Sequence, residues 1–407
     1  MDQLSTNISD VILSSSDELV ENNTRHTCFW DTETRYLLSG KDAISLAIAR
    51  LSASDLEAHL ANGPIFSPRP DKLRPVVGLL PIPPRTAWLL NSSQQCSFRP
   101  LGNIGLPARA DMSDLKHVVS AYMHNFRSRT IAVDLSGGLD SSIVIGLLSA
   151  LGARLLLVGH VSERYEFRTE RRIQQLLLEC HSSLAPDNMS VLIPDDHALP
   201  FSGLDKVPPS AWPRHTNIYH AGHLLSATAA SEHGANIFLN GNGADALFCD
   251  QIDADIDQLP LEYQGWNLDD PWPNDTIYEQ LGISYLSAYS LGRIPAIIYS
   301  LRRSQAEDVQ KKWARQVFSS FIPKELRNYA YKSDFSGLLQ DGLHAARRDI
   351  SWISNAVYTQ IPHPDIQPNH IDREIAHYPN LEDENWRSRL CMKISFISWA
   401  YSLLKQQ

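Results

Sequence analysis

Two regimes of apolar spacing divide the chain. Up to about residue 108, short runs such as Thr34 to Leu38 and Val76 to Leu80 are separated by proline-rich stretches, and Pro81 to Pro84 leads into Arg85-Thr-Ala-Trp-Leu-Leu. Runs this short, bounded by proline, predict a strand-rich, two-layer module. From Asp111 the spacing changes, because Leu115, Val118, Val119, Tyr122 and Phe126 recur at helical intervals. Apolar strands are then expected at Ile131 onward, at Leu155 to Val158, at Val191 to Ile193 and at Asn236 to Leu239. Helices are expected between them, one capped by Thr169 before Glu170-Arg-Arg-Ile and another around Ile218 to Ser231, ended by His233-Gly234. Strands alternating with helices predict an α/β fold, a parallel sheet flanked by helices on both faces. Residues 250 to 407 read as mostly helical, with tryptophans at 266, 272, 313, 352, 386 and 399 expected mainly in the core.

Composition narrows what such a chain can be. With 407 residues and 43% hydrophobic content, it can bury the core of two domains, here expected at 1–108 and 109–407. A net charge of −10 argues against a nucleic-acid partner, which would need a basic surface. No apolar run approaches the length needed to span a membrane, and the polar, acidic start lacks a signal-type core. Five scattered cysteines with no Cys-x-x-Cys pair predict neither a zinc site nor a disulfide framework, so a cytoplasmic location is expected.

The chemistry concentrates where the first sheet strand ends. Ile131-Ala-Val-Asp-Leu passes through Ser136-Gly-Gly-Leu-Asp-Ser-Ser into a helix. Ser136, Gly137, Gly138, Ser141 and Ser142 offer small side chains and backbone N–H groups at a helix N-terminus, which favours phosphate oxygens. Asp140 in the same turn is expected to share a Mg2+ with those phosphates. No Gly-Lys-Ser/Thr follows the glycines, so the loop is not of the Walker type. About a hundred residues on, Asn240-Gly-Asn-Gly-Ala-Asp follows another strand and returns to the same sheet edge. Its glycines, Gly241 and Gly243, allow close backbone approach, and Asp245 stands where a second metal carboxylate is wanted.

Ser136 to Ser142 followed by Asn240 to Phe248 resembles the synthetase domain of the asparagine synthetase family, over roughly 109 to 407. That family includes asparagine synthetase, the β-lactam and carbapenam synthetases and the lasso-peptide cyclases. The resemblance implies an adenine-nucleotide α-hydrolase-like fold, ATP and Mg2+, adenylation of a carboxylate with release of pyrophosphate, and attack by an amine to close an amide. By position it implies that Leu135, Val158, Asn240 and Gly241 hold adenine and ribose, and that Asp140 and Asp245 bind Mg2+. Leu199-Pro-Phe-Ser, Pro208-Pro209 and the helix before Asn236-Ile-Phe-Leu look closer to the lasso-peptide cyclases than to asparagine synthetase. The expected substrate is a peptide or small molecule carrying both a carboxylate and an amine. A leader-peptide-binding protein or protease of the same pathway is the expected partner. A β-lactam-synthetase-like cyclase, an intermolecular ligase and a nucleotide-binding protein without turnover are the alternatives.

Three departures from the family pattern shape the expectation. Asp2 follows Met1 where glutamine-using members place a nucleophilic cysteine, and Cys28 lies in unrelated sequence. Residues 1–108 therefore resemble a degenerate amidotransferase domain, and the amine is expected from the substrate. Asn242 stands where asparagine synthetase has glutamate and β-lactam synthetase tyrosine, and an amide can orient a substrate but cannot accept its proton. His363-Pro-Asp-Ile and Ile371-Asp-Arg-Glu-Ile resemble the family's Pro-Phe-Leu-Asp region, but the Arg-x-Lys-type motif that carries its catalytic lysine is not found before Gln407. Lys332, between Tyr331 and Ser333, is the expected replacement, with Lys393 a weaker one.

Overall fold

The computed structural model describes residues 18–22, 28–31, 36–38, 40–51, 79–82, 86–90, 96–100, 106–107, 109–126, 130–184, 188–210, 213–249, 276–303, 307–308, 310–328, 335–361, 370–377 and 384–406. In the first part of the chain these form two antiparallel sheets. Strand β1 (Glu18–Asn22) pairs with β5 (Thr86–Leu90), which pairs with β6 (Cys96–Pro100). Strand β2 (Cys28–Asp31) lies between β3 (Tyr36–Leu38) and β4 (Leu79–Ile82). Helix α1 (Gly40–Arg50) buries Ala43 and Ala47 completely, in a cluster with Phe201, Leu204, Ile218 and the C-terminal helices.

The second part is organised by one parallel sheet. Helix α2 (Met112–Phe126) leads into β7 (Thr130–Asp134), helix α3 (Leu139–Ala150) and β8 (Leu155–Val161). Helix α4 (Arg168–Leu184), β9 (Met189–Pro194), helix α5 (His220–Glu232), β10 (Ala235–Asn240), the short helices α6 (Ala244–Cys249) and α7 (Thr276–Gln280), and β11 (Ser284–Ser287) follow. The strand order is β11-β10-β7-β8-β9, every neighbouring pair parallel. The expected parallel sheet flanked by helices is present.

Alternation along the strands explains why both faces are covered. Ile131 and Val133 face one way, into a cluster with Leu147 of α3, Ile173 of α4 and Leu247 of α6, while Ala132 faces the other, towards Ala227 and Ala230 of α5. A sheet buried on both faces needs apolar residues at nearly every position, and β7 and β8 supply them. The remaining helices are α8 (Ile294–Leu301), α9 (Lys312–Val317), α10 (Lys324–Asn328), α11 (Ser336–Gln360), α12 (His370–His377) and α13 (Glu384–Leu404). Helices α11 to α13 form their own core around the fully buried Trp399, whose indole N–H donates to the Ser210 carbonyl at 2.7 Å.

Local departures from the sequence reading have physical causes. Helix α4 starts at Arg168, directly after a 3-10 turn at Tyr165–Phe167, so Thr169 lies inside the first turn rather than capping it. Strand β11 falls in a region expected to be helical, because four residues bounded by serines carry no periodic signal. Trp352 is 56% exposed on α11 and does not join the core.

Candidate active site

The strand order sets the site. The chain leaves β7 for β8 on one side and later returns to β10 on the other, so the loops after β7 and β10 part at a topological switch point. Ligands of open parallel sheets bind at such a crevice, at the carboxyl ends of the strands.

The first loop is shaped to leave a helix terminus open. Gly137 has φ +80, and a Cβ there would stand 2.5 Å from the Glu170 carbonyl oxygen of α4, so only glycine fits. Gly138 is the N-cap of α3 and carries no capping side chain, which leaves the first-turn N–H groups facing the crevice. Ser136 and Ser141 share a hydrogen bond of 2.8 Å, and the Gly138 N–H donates to the Ser136 hydroxyl at 3.2 Å. Ser142 is fully buried and its hydroxyl donates back to the Gly138 carbonyl at 2.6 Å. Ser136 is exposed, whereas Ser141 and Ser142 are both buried, each with its hydroxyl directed to the Gly138 carbonyl.

The second loop is drawn against the first. A Cβ on Gly241 would stand 3.1 Å from the Asp140 Cβ and 3.2 Å from the Ser141 nitrogen, so this glycine sets the separation of the two loops. Asn240 is buried and its side-chain oxygen accepts the Asn242 N–H at 2.9 Å, which turns the chain sharply. The Asn242 carbonyl accepts from the Ser287 hydroxyl of β11 at 2.6 Å, and the Asn242 side chain is exposed. Gly243 takes φ +81 at the start of α6. Arg302, fully buried, donates to the carbonyls of Leu247 at 3.0 Å and Cys249 at 3.1 Å. It thereby anchors the carboxyl end of the helix whose first turn holds Asp245.

The carboxylates meet at one point, on a residue that the sequence reading did not single out. The Lys311 ammonium lies 2.7 and 2.6 Å from the two oxygens of Asp140 and 2.6 Å from Asp245. Burial pulls the Lys311 pKa down, but the charges and hydrogen bonds of Asp140 and Asp245 outweigh it and leave the pKa raised. Tyr289, buried beside them, donates to the Asp140 carbonyl at 2.8 Å, and its own pKa is raised well above the usual tyrosine value by burial and the Asp140 charge. Two hard carboxylates converging on a single cation suit Mg2+, which keeps its other positions for water and phosphate oxygens. Among the described residues no cluster of three or more His, Cys, Asp or Glu could hold a metal by itself.

The nucleoside positions implied by the resemblance lie at the ends of β7 and β8. Leu135 is fully buried, its N–H donates to the Val158 carbonyl at 2.8 Å, and its carbonyl accepts from Gln174 at 2.8 Å. Val158 is buried on the opposite sheet face, with Ala132 and Ala227. Asp134, the last residue of β7, was not singled out either. Burial raises its pKa from the usual 3.8 to about 6, with the charge of His223 on α5 acting against the rise. The sign of it in the sequence was a charge closing an otherwise apolar strand. Lys332 lies outside the described residues, and Lys393 is paired with Glu374 between α13 and α12, within the C-terminal helical core.

One family model matches the stretch that holds both loops. Residues 115–252 match the family model described as asparagine synthase. Both loops lie within the matched residues. Among solved structures, the NMN synthetase from Francisella tularensis is similar at 12% identity with a TM-score of 0.31, covering 58% of this chain and 84% of that one. No curated protein matches the sequence. Among the described residues no helix is long and apolar enough to cross a membrane.

Proposed function

We propose that the chain is an ATP-dependent amide synthetase that adenylates a substrate carboxylate, releases pyrophosphate, and closes an amide with an amine of the same substrate, most like a lasso-peptide macrolactam cyclase. The observation that carries this reading is the meeting of Asp140 and Asp245 on one cation beside the open N-terminus of α3. The asparagine-synthase-type segment contains both carboxylates and supports ATP-dependent carbon–nitrogen ligation.

In this reading Ser136, Gly137, Gly138 and Ser141 receive the phosphates, and Asp140 and Asp245 would hold Mg2+, which when bound would supply positive charge to the phosphate oxygens. A carboxylate oxygen of the substrate attacks the α-phosphorus, and the bond to the β-phosphate breaks. The amine then attacks the activated carbonyl and AMP leaves. The exposed Asn242 amide orients the acyl group by hydrogen bonding. The protein contributes chiefly by holding carboxylate and amine together, since proximity alone lowers such barriers by several kcal/mol, about 7 or more in favourable cases. The substrate is a peptide or small molecule bearing both groups, met in the cytoplasm with a leader-peptide-binding protein or protease of its pathway. A nucleotide-binding protein without turnover is the second reading, favoured by Lys311 standing where the metal belongs.

Nucleotide analysis after incubation with Mg2+, ATP and short peptides carrying an internal Asp or Glu tests the first reading. AMP and pyrophosphate in step with loss of water from the peptide is the expected result. ADP and phosphate as the only products would overturn it. Asp140→Asn and Asp245→Asn should each abolish this turnover while the far-ultraviolet circular dichroism stays unchanged.

A further inference from the structure

We propose that Lys311 is a tethered counter-ion for the metal carboxylates, which holds Asp140 and Asp245 together before nucleotide arrives and moves onto the pyrophosphate oxygens once Mg2+ displaces it. This rests on the synthetase reading for its second half only. The two carboxylates come from loops about a hundred residues apart, and without a cation between them their charges would repel. Lys311 reaches both oxygens of one and one oxygen of the other, with its side chain 12% exposed. It occupies the position that a divalent ion would take.

The backbone around Lys311 is held in place by neighbouring bonds. The residue adopts φ +52 and ψ +36, a left-handed conformation that non-glycine residues rarely take. Neighbouring bonds enforce it. The Lys311 N–H donates to the Asp308 carbonyl at 2.8 Å, and the Asp308 N–H donates to the Cys249 carbonyl at 2.7 Å. The Asp308 carboxylate accepts from the Trp313 N–H at 3.1 Å. The turn is thereby joined to the end of α6, the helix that carries Asp245. From this rigid base a four-carbon stem lets the ammonium travel. On the side of Phe248 the ammonium lies 6.0 Å from the ring centroid, and the phosphate loop is on the side of Asp140. When the bond between the α-phosphorus and the β-phosphate oxygen breaks, its electron pair stays on that oxygen, and Lys311 donates a hydrogen bond to it without losing its proton.

Lys311→Met, Lys311→Gly and Lys311→Arg test both halves. Mn2+ binding to the nucleotide-free protein is read by electron paramagnetic resonance, and binding of the Mg2+ complex of α,β-methylene-ATP by calorimetry. Loss of a competing charged donor should tighten Mn2+ binding by roughly tenfold to a hundredfold in the Met and Gly variants. Both should bind the nucleotide analogue more weakly than the wild type, and Arg should retain most of that affinity. The Gly variant accepts the left-handed backbone and keeps the test valid should the Met variant unfold. Unchanged or weaker Mn2+ binding in both would overturn the counter-ion. Tighter Mn2+ with undiminished analogue binding would overturn the move to pyrophosphate. Tighter Mn2+ with no analogue binding even by the wild type would leave the counter-ion standing and sink the synthetase reading.

Discussion

Replacing Asp134 by asparagine should make the protein more stable, and increasingly so as pH rises. The carboxyl ends β7 in a partly buried position, and desolvation raises its pKa from 3.8 to about 6. A group whose folded pKa is raised contributes its full stability below the unfolded pKa and loses it as pH climbs through the folded one. Between 3.8 and about 6 the native state therefore keeps a proton that the unfolded chain has released. Above that window the fold must bury a carboxylate, at a cost of about 3 kcal/mol at most, from 1.36 kcal/mol per pH unit. Roughly half of this accrues by pH 5 and nearly all of it by pH 8. Asparagine keeps the shape and carries no charge. Urea unfolding of wild type and Asp134→Asn, followed by tryptophan fluorescence at pH 5, 6.5 and 8, should show the advantage of the variant growing by about 1–1.5 kcal/mol across the series. His223→Gln removes the opposing charge and should shift the window upward. A variant advantage that stays flat or shrinks with rising pH would show that Asp134 is ionised in the fold at little cost.

Other substitutions probe the scaffold behind the site. Arg302→Met removes two buried donors to the end of α6 and should cost about 2–4 kcal/mol in urea unfolding, with weaker Mn2+ binding as Asp245 loses its footing. Gly137→Ala meets both a positive φ and the Glu170 carbonyl, so it should destabilise by about 1–3 kcal/mol and weaken nucleotide binding. Unfolding midpoints and calorimetric titration with α,β-methylene-ATP check it.

The loops that meet in the structure are the ones written locally in the sequence. Ser136 to Ser142 and Asn240 to Gly243 announce themselves because small residues, glycines and a carboxylate crowd into a few positions after an apolar strand. Asp140 and Asp245 followed from that, and the alternation of strands and helices yielded the sheet that brings their loops together. Lys311 was not legible, because its partner Asp140 lies 171 positions away and nothing in Gln310-Lys-Lys-Trp marks one lysine over the next. Arg302 and Tyr289 were hidden for the same reason, since their hydrogen bonds reach back 55 and 149 positions. Ser142 shows what a motif leaves open. Its place in the motif suggested a phosphate ligand, whereas the helix turns its hydroxyl onto the Gly138 carbonyl. A motif specifies residue types, but the direction of each side chain comes from the helix it starts.

A crystal structure with Mg2+ and α,β-methylene-ATP tests the central claim most directly, because the analogue cannot be cleaved between its α and β phosphates. The phosphates should lie against the N–H groups of Gly138 to Ser141, with Mg2+ about 2.0–2.2 Å from an oxygen of both Asp140 and Asp245 and Lys311 turned towards the terminal phosphates. Nucleotide bound away from the crevice between β7 and β10, or Lys311 still seated between the two carboxylates with no metal beside it, would contradict the account.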